Sequence, residues 1–395
     1  MTKKTDTPAI RFKGFSDTWE QRKAKDLCSI STGKSNTQDR VDDGIYPFYV
    51  RSPIVEHSNR YLFDEEAVLT VGDGVGTGKV FHYVNGKYDL HQRVYRMFDF
   101  SEEITAKYFY YYFSNHFYDR VMAMTAKTSV DSVRYEMIAD MDIALPKVKE
   151  QMAISDYFER LDNLITLHQR KYEKLHNIKK SMLEKMFPKN GSNVPEIRFK
   201  GFTEAWEQRK LGEVGETYTG LSGKSKDDFG HGSGKFITYM NVFSNPVASP
   251  NMTEAIEIDD SQNKVRFGDV LFTTSSETPD EVGMSSVWLE NAENTYLNSF
   301  CFGYRPTAEF NPYYLAYMLR SSSMRKKITF LAQGISRYNI SKNKMMDIEM
   351  PIPSIDEQKQ IGEYFANLDN LITLHQRELE KLQNIKKSML EKMFV

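Results

Sequence analysis

The chain repeats itself, and no other feature of it limits the possible folds as much. Residues 8–23 read PAIRFKGFSDTWEQRK and residues 195–210 read PEIRFKGFTEAWEQRK, with twelve of sixteen positions identical. Residues 158–187 and 365–394 agree at twenty-five of thirty positions. The first pair is offset by 187 residues and the second by 207, so the intervening stretch is twenty residues longer in the second half (207 − 187). Each half therefore has a start box, a divergent middle and a near-identical tail. Pro188, Gly191, Ser192 and Asn193 mark a linker between the halves. Two such halves joined tail to head imply a ring-like, pseudo-twofold arrangement.

The tails read as long amphipathic helices. Leu161, Ile165, Tyr172, Leu175, Ile178, Met182 and Met186 recur at spacings of three and four, with His168 filling the gap. Leu368, Ile372, Leu379, Leu382, Ile385, Met389 and Met393 repeat the stripe, with His375 in the gap. No Gly or Pro interrupts residues 158–187. A helix of about 35 residues spans roughly 50 Å. Two matching stripes can cover each other by antiparallel pairing, which predicts a coiled-coil spacer. The plain alternative is a coiled coil that only ties two domains together.

The middles read as mixed α/β domains of the α+β kind. In VFHYVNGKY at residues 80–88, Asn85-Gly86 between apolar runs predicts a hairpin turn. Residues 265–274 and 66–71 predict matching strands. Asn311-Pro312 predicts a helix start, and one helical segment follows it. Residues 104–124 are its counterpart. The expected division is 1–149, first mixed domain; 150–188, first spacer helix; 189–355, linker and second mixed domain; and 356–395, second spacer helix.

Lys and Arg number 52 and Asp and Glu number 54, a net charge of −2, which excludes a simple basic coat for nucleic acid. Cys28 and Cys301 are far apart in sequence, so no disulfide framework is expected and a reducing cytoplasm suits the chain. No apolar run of about 18 residues predicts a membrane span, and the first residues do not read as a signal peptide.

Several catalytic motifs fail. Gly33-Lys34-Ser35, Gly223-Lys224-Ser225 and Gly78-Lys79 lack the first glycine of a phosphate-binding loop; Cys28, Tyr218 and Asp73 stand there. Asn311-Pro312-Tyr313-Tyr314 resembles an adenine methyltransferase motif but lacks its second proline and any glycine-rich cofactor loop. Glu357-Gln358-Lys359 reads as a helix start rather than the end of a nuclease set. No His or Cys cluster has metal-ligand spacing.

One basic patch stands out. Arg320, Arg325, Lys326, Lys327, Arg337, Lys342 and Lys344 lie close together with no acidic residue among them. Phosphates attract such cations. Gln333, Ser336, Arg337, Tyr338 and Asn339 lie within the patch, and Gln, Asn and Arg can reach base edges bidentately. The matching first-half region holds Arg120, Lys127, Thr128, Ser129, Asp131 and Arg134 and is less basic. Further candidate contacts are Lys34, Ser35 and Asn36; Lys224, Ser225 and Lys226; Ser275 and Ser276; and Lys79 in the glycine-rich stretch 72–79. The plain alternative is a solvated charged face.

The layout resembles the specificity (S) subunit of type I restriction–modification systems over nearly the whole chain. The resemblance rests on the two variable regions, the duplicated tails and the tail entries Leu145-Pro146…Glu150-Gln151 and Met350-Pro351…Glu357-Gln358. Gly334-Ile335-Ser336…Asn339-Ile340 and Gly268-Asp269-Val270-Leu271 also match. The first half departs from the pattern at 126–131, which lacks the counterpart of Gly334.

The resemblance implies two target recognition domains, each reading one half of a split, asymmetric site in double-stranded DNA. The paired helices would set the unread gap through Leu161, Ile165, His168, Leu175, Met182, Leu368, Ile372, His375, Leu382 and Met389. Two methyltransferase (M) subunits would dock around the helices, and restriction (R) subunits would join. The chain itself would be non-catalytic and hold no cofactor, with S-adenosylmethionine on the M subunits. A non-catalytic protein-binding adaptor with a coiled-coil spacer remains the alternative.

Overall fold

A computed structural model describes residues 7–74, 76–124, 132–189 and 191–395. The chain divides into two compact units, Met1–Gln169 with Arg377–Val395, and Arg170–Gln376. Each unit takes one divergent middle and a stretch of both long helices, Val148–Lys185 and Ile355–Met393. At 38 and 39 residues, each helix is about 57 Å long.

The first unit carries a six-stranded sheet in the order Ser29–Thr32, Val94–Phe98, Phe63–Val71, Phe81–Leu90, Tyr46–Tyr49, Val55–Ser58. All neighbours are antiparallel except Phe81–Leu90 beside Tyr46–Tyr49. Helix Ala106–Met124 brings Phe109, Phe113 and Phe117 onto one face by their spacing of four. Their rings stack in series at 5.3 and 4.3 Å, and Phe81 meets Phe113 edge-on at 5.7 Å. The second unit instead splits its strands. Gly215–Thr219, Cys301–Pro306, Val270–Thr273 and Ser285–Val287 form one sheet; Thr253–Ile256, Phe229–Ile237 and Thr295–Leu297 form another.

Two local expectations are corrected. Asn85-Gly86 is not a hairpin turn but lies inside strand Phe81–Leu90, opposite Glu66 and Glu65. Both flanking apolar runs pair with the same strand, Phe63–Val71, so long-range pairing overrides the local turn signal. Gly86 keeps the positive φ of +122° that its sequence context announced. The helical segment after Pro312 is two helices, Pro312–Met318 and Ser322–Phe330, because Ser321 caps a new start by accepting from the Met324 amide.

The start boxes and tails build the same frame in each unit. In the first, Arg11 grips Glu150 with both guanidinium edges, at 2.6 and 2.7 Å. In the second, Arg198 grips Glu357 at 2.7 and 2.8 Å. Both carboxylates are buried in the first turn of a long helix, where the helix dipole also favours them. Gln151 accepts from the Thr105 amide and donates to Pro146, and Gln358 repeats this with Asn311 and Pro353. The helices pair antiparallel inside each unit. Phe158 stacks on Phe394 and Asp162 meets Lys386; Phe365 stacks on Phe187 and Asp369 meets Lys179. Leu161 shares an apolar cluster with Leu382 and Met389, and Leu368 shares one with Leu175 and Met182. Ile372 is buried, while Ile165, His168 and His375 are half-buried.

Candidate nucleic-acid interface

In the first unit the proposed contacts fall into two groups. Lys34 and Asn36 are exposed, but Ser35 is fully buried and donates to Asp89 at 2.5 Å. Arg60 joins this pair, bonding Ser35 and Asp39. Ser35 thus holds the turn and offers no surface for DNA. The second group lies at or near the glycine-rich residues 72–74 and 76–79. Lys79 is exposed above the Tyr118 ring. Arg134 is exposed beside Val133, whose amide bonds Gly72 at 2.7 Å. Arg120 is tied to the Met137 carbonyl. Lys127, Thr128 and Ser129 lie outside the described residues.

Two residues here escaped the sequence reading. Arg51 and Arg93 flank Asp73 at 3.4 and 3.7 Å, with side chains 48% and 66% exposed. They come from 22 residues before Asp73 and 20 after it in the chain, so no local charge run announces them.

In the second unit the basic patch divides. Arg325 donates to the carbonyls of Asp280, Val282 and Gly283 at 2.7–2.9 Å. Arg320 donates to four carbonyls, of Ser285, Val242, Phe243 and Asn245. Burial pushes both guanidinium groups down to about 10, and both stay charged at neutral pH. Lys327 bonds the Glu349 carbonyl. Arg325 and Lys327 are thus partly engaged with the protein's own backbone: Arg325 through three of its five N–H donors and Lys327 through one of its three. Lys326 and Arg337 remain exposed and Lys342 half-exposed.

Lys224 is likewise turned to its own unit, pairing with Asp259 at 2.7 Å. Lys224, with Ser261, holds Asp259 well below the usual carboxylate range. Ser225 caps the turn Lys226–Asp228, and Lys226 is exposed.

Distant candidates do converge on one place. Strand Ser275–Ser276 pairs with Tyr338–Asn339. Gln333 and Asn339 exchange backbone hydrogen bonds at 2.9 and 2.8 Å, closing a loop that presents Ser336 and Arg337. Gly334 adopts φ +145°, and a Cβ there would stand 2.0 Å from the Arg337 carbonyl oxygen. Ser275, Ser276, Ser336 and Arg337 line an open cavity of about 670 Å³ with Tyr239, Glu277 and Glu281. The two glutamates went unforeseen, since a search for phosphate-binding cations passes over acids.

Among the described residues, no group of three or more His, Cys, Asp or Glu side chains is placed to hold a metal ion. No helix among them is long and apolar enough to cross a membrane. Cys28 and Cys301 are buried and unpaired, and burial pushes each thiol up to about 12.

Comparison with known proteins places these features among relatives. The family described as type I restriction modification DNA specificity domain matches residues 16–177 and again 203–384. The type I restriction enzyme MjaVIII specificity subunit of Methanocaldococcus jannaschii is 23% identical over 410 residues, covering 94% of this chain and 91% of that one. The EcoDI specificity subunit of Escherichia coli is 30% identical over 148 residues, 37% of this chain and 31% of that protein. The crystal structure of the type I restriction–modification system S subunit from M. genitalium aligns over 98% of this chain and 99% of its own, with a TM-score of 0.61 at 13% identity.

Proposed function

Since the chain belongs to the type I restriction–modification DNA specificity family, we propose that it is the non-catalytic subunit that directs a methyltransferase complex to a split DNA site. Each unit reads one half of the site, and the antiparallel helices set the unread gap. One observation carries this reading: two units share the same frame while their exposed polar surfaces differ. The first places Arg51, Arg93 and Arg134 at or near the glycine-rich residues 72–74 and 76–79. The second offers a cavity lined by Ser, Arg and Glu side chains. An asymmetric target needs two unlike readers on a common scaffold.

The repeated surfaces suit partners present in two copies. Leu164 and Leu167 on one helix and Leu371 and Leu374 on the other are 43–52% exposed at equivalent positions of the repeat. We assign them to the docking of two M subunits, which would bind S-adenosylmethionine and make N6-methyladenine; R subunits would complete a restriction complex in the cytoplasm. The near-neutral charge follows if these partners supply many of the phosphate contacts.

The test is a genome-wide map of N6-methyladenine in a host with and without the gene. Loss of one motif with two short defined halves and a fixed gap is the expected result. A methylome unchanged by deletion, despite an expressed M subunit bound to the chain, would sink the reading. Removing four residues from each helix should alter the gap and leave both half-sites unchanged.

A further inference from the structure

The cavity of the second unit contains a combination that phosphate binding does not explain. Helix Tyr239–Ser244, strand Ser275–Ser276, the turn Pro279–Glu281 and the loop ending at Asn339 all contribute to it. Glu277, Glu281 and Arg337 all line it, and all three are exposed. Among the described residues neither carboxylate has an ion-pair partner. A carboxylate set near a phosphate repels it, by about 1 kcal/mol at 4 Å in water and more where solvent is excluded. Such groups oppose DNA binding unless they meet hydrogen-bond donors.

The donors that DNA offers in its major groove are the exocyclic amines, N4 of cytosine and N6 of adenine. An ionised carboxylate only accepts and a guanidinium only donates. Guanine O6 and N7 are a pair of acceptors that matches the guanidinium fork. A C·G pair therefore presents one partner for each kind of group. An A·T pair satisfies the carboxylate through adenine N6 but leaves the guanidinium with thymine O4 next to a methyl group.

The two side chains are not equally free to move. Ser276, almost buried on its strand, donates to Glu281 at 3.2 Å. The Arg337 guanidinium lies 5.6 Å from the centroid of the Phe300 ring, a cation–π contact. Groups held in place before binding lose less freedom when they meet a base. Among the described residues, Glu277 has no such support.

We infer that Glu281 and Arg337 together read one C·G base pair, Glu281 accepting from cytosine N4 and Arg337 donating to guanine O6 and N7. The assignment deepens the DNA-recognition reading and rests on it. The experiment expresses the full chain with its M subunit and maps N6-methyladenine for wild type, Glu281→Gln, Arg337→Ala and Arg337→Lys. Glu281→Gln is exposed and nearly isosteric, so folding is spared. Glu281→Gln and Arg337→Ala should relax the same position of one half-site, a C·G pair in the wild-type motif, lowering its preference about 5- to 150-fold, and Arg337→Lys, which still donates to guanine O6 and N7, should relax it less. The other half-site and the gap should stay unchanged.

A wild-type split motif untouched by the variants would overturn this assignment alone. Relaxation at different positions by Glu281→Gln and Arg337→Ala would also overturn it. So would uniformly stronger modification of all sites by Glu281→Gln, which would make the carboxylate a general brake on binding. Absence of any split motif with the wild-type chain would remove the DNA-recognition reading and this one with it.

Discussion

The frame and the readers of this protein answer to different demands. Arg11–Glu150 in the first unit and Arg198–Glu357 in the second share geometry to within 0.1 Å. Tyr111 bonds Asp162 as Tyr317 bonds Asp369, each at 2.9 Å. The sheets these frames carry differ in strand count, order and loops. A buried ion pair fails if either partner changes, so duplicated halves keep it. An exposed loop can change without unfolding the unit, so its chemistry can follow the sequence it reads.

Breaking the frame should cost most. Arg11→Ala or Arg198→Ala leaves a buried glutamate unpaired, and each should lower stability by about 3–5 kcal/mol. Denaturant unfolding followed by hydrogen exchange should localise the loss to the unit that carries the change. Equal loss in both units would contradict the independence of the two clamps.

Next comes a contrast within the basic patch. Arg325→Ala strips three carbonyls of a charged donor, at a cost of about 1.5–3 kcal/mol in stability, with no position of the methylated motif relaxed. Arg337→Ala should leave the melting temperature unchanged. Arg325→Ala variants that fold normally but lose DNA affinity in a salt-dependent manner would show that this guanidinium does reach phosphate.

A third test uses a difference inside the frame. Ser155 occupies the position in the first half that Gly362 occupies in the second. A Cβ at Gly362 would stand 2.7–2.9 Å from Asn311, Tyr313 and Tyr314. Gly362→Ser should therefore destabilise the second unit by about 1–3 kcal/mol. Ser155→Gly should cost the first unit about 1 kcal/mol through helix propensity. Thermal melts of the two variants give the order directly.

The smallest effect is on pH. In the first unit, burial lowers the affinity of His82 and His91 for protons, and for His91 nearby Arg51 adds to this. Their neutral forms are favoured in the fold, so stability falls as pH drops below about 6.5. In the second unit, His231 is raised by its bond to the Asp227 carbonyl and then by Glu257. Its contribution is present below about 6.5 and fades as pH rises through the raised value. Hydrogen exchange at pH 5.5 and 7.5 should show opposite changes in the two units.

Much of the frame was legible from the chain alone. The stripe from Leu161 to Met186 follows helical periodicity, a local property, and its repetition from Leu368 to Met393 named the partner. The capped start at Asn311-Pro312 was also legible, since a cap depends on residues three apart. The site was legible only in outline. Arg337 and Ser276 were identified, but Glu281 and Arg93 were not, because spatial neighbours drawn from distant segments leave no local pattern.

By itself, then, the sequence determined the duplication, the two long helices and the existence of two unlike middles, because identity and periodicity are properties of neighbouring residues. Tertiary structure alone decided which cations face solvent. Arg325 and Arg337 are equivalent as charges in a sequence. One donates to three carbonyls 42 to 45 residues away, and the other lies exposed over Phe300. A guanidinium bonds whatever acceptor the fold brings within about 3 Å, and only the folded chain determines which acceptor that is.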